Sequence, residues 1–142
     1  MLTSAQCLAK YGDPTTKQTQ SKWFVVWDVP TELEIGFIPK KVYCNKDLVA
    51  PLTQAFKNLI ARNYAKEIKT WDGCWNIRKK RGQSSMSLHS WAVAVDLNAA
   101  ENCFGCKPKL TAGFVKCFTD AGFDWGGKWS KPDGMHFQLA KI

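Results

Sequence analysis

The sequence predicts a single α+β domain spanning residues 1–142, and three observations predict it. The chain has 142 residues, the size of one domain, and 45% of them are hydrophobic, enough for a core. Apolar residues recur at helical spacing after Pro51 and again after Thr111. Residues 91–97 and 135–139 instead alternate as strands do.

Taken in order, residues 1–40, with Pro14, Pro30 and Pro39, are expected to be an irregular part of the same domain, with short strands such as Trp23–Trp27. A helix is expected from near Pro51, because proline suits a first-turn position. Leu52, Phe56, Leu59 and Ile60 share one of its faces, a packing stripe. A strand is expected over Trp91–Leu97. Its alternation sends Trp91, Val93, Val95 and Leu97 to the core and leaves Asp96 beside Ala92 and Ala94 on the other face. His89 has the opposite parity to Asp96, so it is placed in the loop before the strand. A second helix is expected from Thr111, its N-cap, to Gly122, with Phe114, Phe118 and Ala121 inward. Pro132-Asp133-Gly134 reads as a turn. A last strand, Met135–Leu139, puts His136 and Gln138 on its polar face.

Charge and cysteines bound the partners. The net charge is +8, from 20 Lys and Arg against 12 Asp and Glu. A basic chain is drawn to nucleic acid, anionic lipid or the acidic polymers of a bacterial wall, and charge alone does not choose among them. No apolar run approaches the roughly 20 residues of a membrane span, so no membrane insertion is expected. The opening residues MLTSAQCLAKYGDP lack the long apolar stretch of a secretory signal. The six cysteines are too few for a disulfide-built scaffold. Cys103-x-x-Cys106 fits a redox or second metal motif, but no other CxxC accompanies it; buried thiols or one local disulfide is the preferred account.

The chemistry concentrates in two short stretches, SLHSWAVAVD and DGMHF, which contain both histidines of the chain. Asp96 stands seven residues after His89, and Asp133 three before His136. Two histidines and one aspartate make a three-ligand Zn²⁺ site, and a spare carboxylate beside it can handle a proton. Asp96 closes an otherwise apolar strand, where a carboxylate is costly without a partner. On the residues alone, a metal site and a structural role for the histidines both stay open.

The arrangement SxHxxGxAxD followed by an acid-x-x-His element resembles the zinc D,D-peptidase family (M15-type), which includes VanX/VanY-like dipeptidases and carboxypeptidases and the L-alanyl-D-glutamate endopeptidases of phage endolysins. Ser87, His89, Ala94 and Asp96 supply the first motif; Asp133 and His136 supply the second. DGCWNIRKKRG and GFDWGGKW resemble the endolysin-like branch, as does an aspartate rather than a glutamate before the last histidine. The resemblance runs from about Tyr11 to the C-terminus and is dense over Trp71–Leu139.

That resemblance implies a Hedgehog/D,D-peptidase-like fold: a small antiparallel sheet, helices packed on one side, and the metal in an open cleft. It implies His89, Asp96 and His136 as Zn²⁺ ligands and Asp133 as general base. It implies Arg78 as the residue that holds a substrate carbonyl or carboxylate and stabilises the oxyanion, with Arg81 as its competitor. Ser87 would bond near metal or substrate, and Trp125 and Trp129 would wall the cleft or pack in the core. The motif glycine is Ala92 here; if that position needs a positive φ, the alanine carries about 1 kcal/mol of strain.

The function so implied is hydrolysis of peptidoglycan stem peptides by a monomer. L-alanyl-D-glutamate endopeptidase action of a phage endolysin is the first choice, made in the host cytoplasm and acting at the cell wall after holin-type release or from a virion. D-alanyl-D-alanine carboxypeptidase is the alternative. A non-catalytic wall-binding or virion structural module with a structural zinc is the rival from another class. Nucleic-acid binding explains neither histidine and is not expected.

Overall fold

The computed structural model describes residues 1–142 as four α-helices and two antiparallel sheets. Two short helices come first, α1 (Ser4–Tyr11) and α2 (Lys17–Trp23). They occupy residues 4–23 of the segment expected to be irregular, and local signals explain them. The short strand expected at Trp23–Trp27 forms as Phe24–Asp28, and residues 29–40 have no regular element but a 3₁₀ turn. Thr3 and Gln6 form a capping box at the start of α1, and the Thr16 side chain caps α2. Strand β1 (Phe24–Asp28) then pairs with β2 (Lys41–Asn45) in a two-stranded sheet.

Helix α3 (Lys46–Ala61) begins five residues before Pro51, which lies inside it. The start is set by Asn45, whose side chain accepts the Asp47 amide. Leu48, Leu52, Ala55, Phe56 and Leu59 are its buried stripe, while Ile60, expected to join them, is exposed.

The second sheet carries the candidate site. Its strands run in the order β3 (Trp71–Gly73), β4 (Ala94–Leu97), β6 (His136–Leu139), β5 (Phe123–Trp125), all antiparallel neighbours. Strand β4 is shorter than the expected Trp91–Leu97. Residues Leu88–Trp91 instead form a 3₁₀ turn, closed by Ala92 in the left-handed region at φ 55° and ψ 38°. This is why Ala92, Val93 and Ala94 are all fully buried rather than alternating. Helix α4 (Ala112–Thr119) is capped by Thr111, as expected, and buries Phe114 and Phe118 against Phe137 of β6. It ends before Gly122, which turns the chain at φ 103° into β5. No helix is long and apolar enough to cross a membrane.

Cys103 and Cys106 form a disulfide, and the other four cysteines are buried free thiols. Burial pushes the thiols of Cys7 and Cys44 up to about 12, so neither ionises near neutrality.

Candidate active site

The sheet register brings the first two candidate ligands together. Asp96 of β4 lies directly opposite His136 of β6, so their side chains share a face. The third arrives from the turn: the 3₁₀ segment delivers His89 Nε2 to 3.2 Å from Asp96 Oδ2 and 3.2 Å from His136 Nδ1. His136 Nδ1 is 3.4 Å from Asp96 Oδ1. One ligand atom from each of the three residues lies within 4.8 Å of the others.

Hydrogen bonds behind the rings fix which nitrogen faces the centre. His89 Nδ1 is 2.8 Å from the Cys74 carbonyl, which can only accept, so the proton is on Nδ1 and the Nε2 lone pair points inward. His136 Nε2 donates to Gln138 Oε1 at 2.9 Å, leaving the Nδ1 lone pair inward. Two lone pairs and a carboxylate thus converge on one point. Asp96 Oδ1 is buried without a hydrogen-bond partner. Such a set is repulsive unless a proton or a cation sits among it, and the donor chemistry fits a divalent metal such as Zn²⁺.

A proton can stand in for the cation. Burial works against ionisation of Asp96, but hydrogen bonds from His136 and His89, when their inward nitrogens are protonated, overcome it and hold the carboxyl well below its ordinary range. Burial likewise opposes charge on His136, and the bond to Asp96 outweighs it, so its pKa is raised.

Asp133 sits on the turn before β6. Its amide donates to the Gly126 carbonyl at 2.9 Å, and its carbonyl accepts the His136 amide at 3.1 Å. Gly126 is required there, since a Cβ would stand 2.6 Å from the Asp133 carbonyl oxygen. The other side of the turn is bridged to Phe104, and the Gly105 amide donates to the Pro132 carbonyl at 2.6 Å. Asp133 Oδ1 is buried and unpaired. Burial raises the pKa of this carboxyl; the nearby His136 pulls it down, Asp96 pushes it further up, and His89 and Arg81 again pull down.

These groups line a cleft of about 660 Å³, with Asp96, His136 and Asp133 within it and Arg78, Lys80 and Arg81 along one wall. Among the other expected residues, Trp129 lines the cleft with its ring 5.3 Å from that of His136. Trp125 does not line it. It stacks on Phe137 and donates to the Gly134 carbonyl at 2.8 Å, so it supports the turn from behind. The Ser87 hydroxyl reaches the cleft but accepts the His89 amide at 3.3 Å, capping the turn that carries that ligand. The Arg78 side chain is exposed along the wall.

Residues 80–139 match the family model described as D-alanyl-D-alanine carboxypeptidase. The matched stretch holds His89, Asp96, Asp133 and His136 and stops short of Arg78. The match supports a peptidase acting on a peptidoglycan-type substrate. No curated protein and no solved structure matches the chain.

Three positioning residues have no role assigned to them by the sequence. Asn45 is fully buried, and its side-chain amide donates to the Trp91 carbonyl at 3.2 Å while its backbone amide donates to the Ala92 carbonyl at 3.1 Å. It therefore clamps the His89 turn onto α3. Cys74 contributes the carbonyl that orients His89, and Gln138 the one that orients His136. Gln138 alone had a readable signal, its shared face with His136. The turn is also held by α1: Ser4 donates to the Met86 carbonyl at 2.6 Å, and the Trp91 indole donates to the Gly12 carbonyl at 2.8 Å.

Proposed function

We propose that this protein is a zinc-dependent peptidoglycan hydrolase, one domain of the zinc D,D-peptidase type, that cleaves the stem peptide. One observation carries the reading. Three candidate ligand atoms with their tautomers set converge at the floor of an open basic cleft that Asp96, His136 and Asp133 line, and one Asp133 oxygen is buried and unpaired.

In this reading His89, Asp96 and His136 hold Zn²⁺, which supplies an electrophile that polarises a carbonyl and brings the pKa of water to about 7. Asp133 takes a proton from the attacking water and hands one to the leaving amine, so water and peptide give one acid and one amine. Burial raises its pKa, which strengthens it as the base that takes that proton. Arg78 holds the substrate carbonyl or carboxylate and stabilises the oxyanion. Trp129 shapes the wall beside His136, and Ser87 holds the ligand turn.

L-alanyl-D-glutamate endopeptidase action, of the phage endolysin kind, is the preferred specificity, supported by the aspartate base and by the DGCWNIRKKRG and GFDWGGKW segments. The setting is release from a host cell onto an anionic wall, where the +8 charge favours binding. D-alanyl-D-alanine carboxypeptidase is the second reading, favoured by the description of the matched family model. The non-catalytic module with a structural zinc has no use for an unpaired Asp133.

Muropeptides from several wall types, incubated with the protein with and without chelator, test this by mass spectrometry of the products. New amino-terminal ends after L-alanine that vanish on chelation and return with Zn²⁺ are expected. Release of terminal D-alanine moves the specificity to the carboxypeptidase. No cleavage by zinc-loaded protein overturns the hydrolase.

A further inference from the structure

The cleft has a second cationic feature that the reaction outlined above does not use. Phe104 lies inside the four-residue loop closed by the Cys103–Cys106 disulfide, and its ring faces the cleft. The Arg81 guanidinium stands 4.9 Å from the centre of that ring, and Lys131 Nζ stands 4.6 Å from it. The three residues come from separate segments: the loop after Arg78, the disulfide loop, and the turn that carries Asp133. All three line the cleft. The Lys131 stem lies across Gly105, where a Cβ would meet its Cε at 3.3 Å. An aromatic ring therefore holds two exposed cations in place at the mouth of the cleft.

Neither cation has a carboxylate partner. The seven ion pairs of the structure involve neither Arg81 nor Lys131. The two carboxylates lining the cleft are Asp96, which the histidines hold, and Asp133, one oxygen of which is buried and unpaired. Two like charges are thus held against one ring with no counter-charge in contact. A planar carboxylate on an incoming group matches the guanidinium fork of Arg81, with Lys131 adding a point charge.

We propose that Arg81 and Lys131, seated on Phe104, form a specificity subsite for a free carboxylate on an acidic residue of the stem peptide, separate from the group that Arg78 takes. The inference rests on the hydrolase reading above. The disulfide and the Phe104–Asp133 bridge tie this subsite to the turn bearing the base. A substrate carboxylate bound there is therefore referenced to the reacting atoms, and selectivity appears in kcat/KM rather than in general wall binding.

Two synthetic stem peptides decide it, identical except that the carboxylate of the acidic residue is free in one and amidated in the other. The zinc-loaded wild-type protein is expected to prefer the free acid by about tenfold in kcat/KM. The Arg81→Gln/Lys131→Gln double variant is expected to bring that preference down to about one. Both positions are exposed, and a thermal melt checks that the variant folds. A preference that survives in the double variant, or a wild type that cleaves both peptides equally, overturns the subsite and leaves the hydrolase standing. Equal losses on both peptides assign Arg81 to the oxyanion in place of Arg78 and also overturn it. If wild type cleaves neither peptide, the hydrolase reading fails and this inference falls with it.

Discussion

Two of the three candidate metal ligands sit on paired strands and the third sits on a turn, and the two regions are held by different physics. Asp96 and His136 are set by the β4–β6 register, in which main-chain hydrogen bonds on both sides of β6 leave each side chain one direction to point. His89 has no ladder. Its position depends on a left-handed Ala92, a cap from Ser87, a buried Asn45 and the indole of Trp91 reaching back to α1. A strand carries its ligands by repetition; a turn carries its ligand by a set of single contacts, each of which is separately breakable.

The largest effects should erase the difference. His89→Ala and Asp96→Ala remove a ligand from the turn and from the strand, and each is expected to leave no zinc after gel filtration and no measurable cleavage. Metal analysis beside an activity assay checks both. Full zinc occupancy in His89→Ala would mean that the turn does not supply a ligand. Asp133→Asn separates binding from chemistry. It should keep zinc and lose turnover by about 10²–10⁴-fold, the usual contribution of general acid–base catalysis. An active, zinc-loaded Asp133→Asn protein would remove it as base.

A middle tier sharpens the contrast between the two regions. Asn45→Ala removes the cap of α3 and strands the Trp91 carbonyl in the core. The cost is about 2–4 kcal/mol, seen as a lower melting temperature of the metal-free protein. Gln138→Met keeps the volume but removes the acceptor that orients His136. Zinc affinity is expected to fall by about 10–100-fold, with a smaller change in melting temperature than Asn45→Ala produces. If the two variants behave alike in both measurements, the turn and the strands are not held differently.

How much of this was legible follows the same division. The parity argument placed His136 and Gln138 on one polar face and put His89 outside the strand, and the geometry has both. Period-2 patterning reports strands because the ladder repeats. The turn left weaker marks. Val93 reads as strand, yet the chain enters β4 only at Ala94, because the left-handed residue before it is set by tertiary contacts to Asn45 and Cys74. The helices before β1 were hidden by low hydrophobicity, although Thr3-x-x-Gln6 spelled a capping box. Pro51 misled for a related reason: Asn45 already supplied a start, and α3 tolerates the missing donor one turn in. Trp125 and Trp129 were indistinguishable in GFDWGGKW, and only the stacking on Phe137 separates the support from the wall.

The smallest effect tests the strain itself. Ala92 is fully buried at φ 55°, and left-handed backbone costs an alanine about 1 kcal/mol that glycine does not incur. Two terms oppose the gain from Ala92→Gly. Glycine frees the unfolded chain by about 0.4–1 kcal/mol, and the buried methyl it deletes is worth about 0.8 kcal/mol. The sum lies within about 1 kcal/mol of zero, with zinc retained. Asn98 is the control, since it too is left-handed at φ 53°. Its side chain accepts the Lys69 and Thr70 amides and donates to the Glu67 carbonyl, so Asn98→Gly should cost about 2 kcal/mol or more. Chemical denaturation of both variants gives the comparison. A clear stabilisation by Ala92→Gly would mean that the His89 turn stores more strain than one left-handed alanine accounts for. A loss as large as that of Asn98→Gly would mean that the methyl, not the backbone, sets the turn.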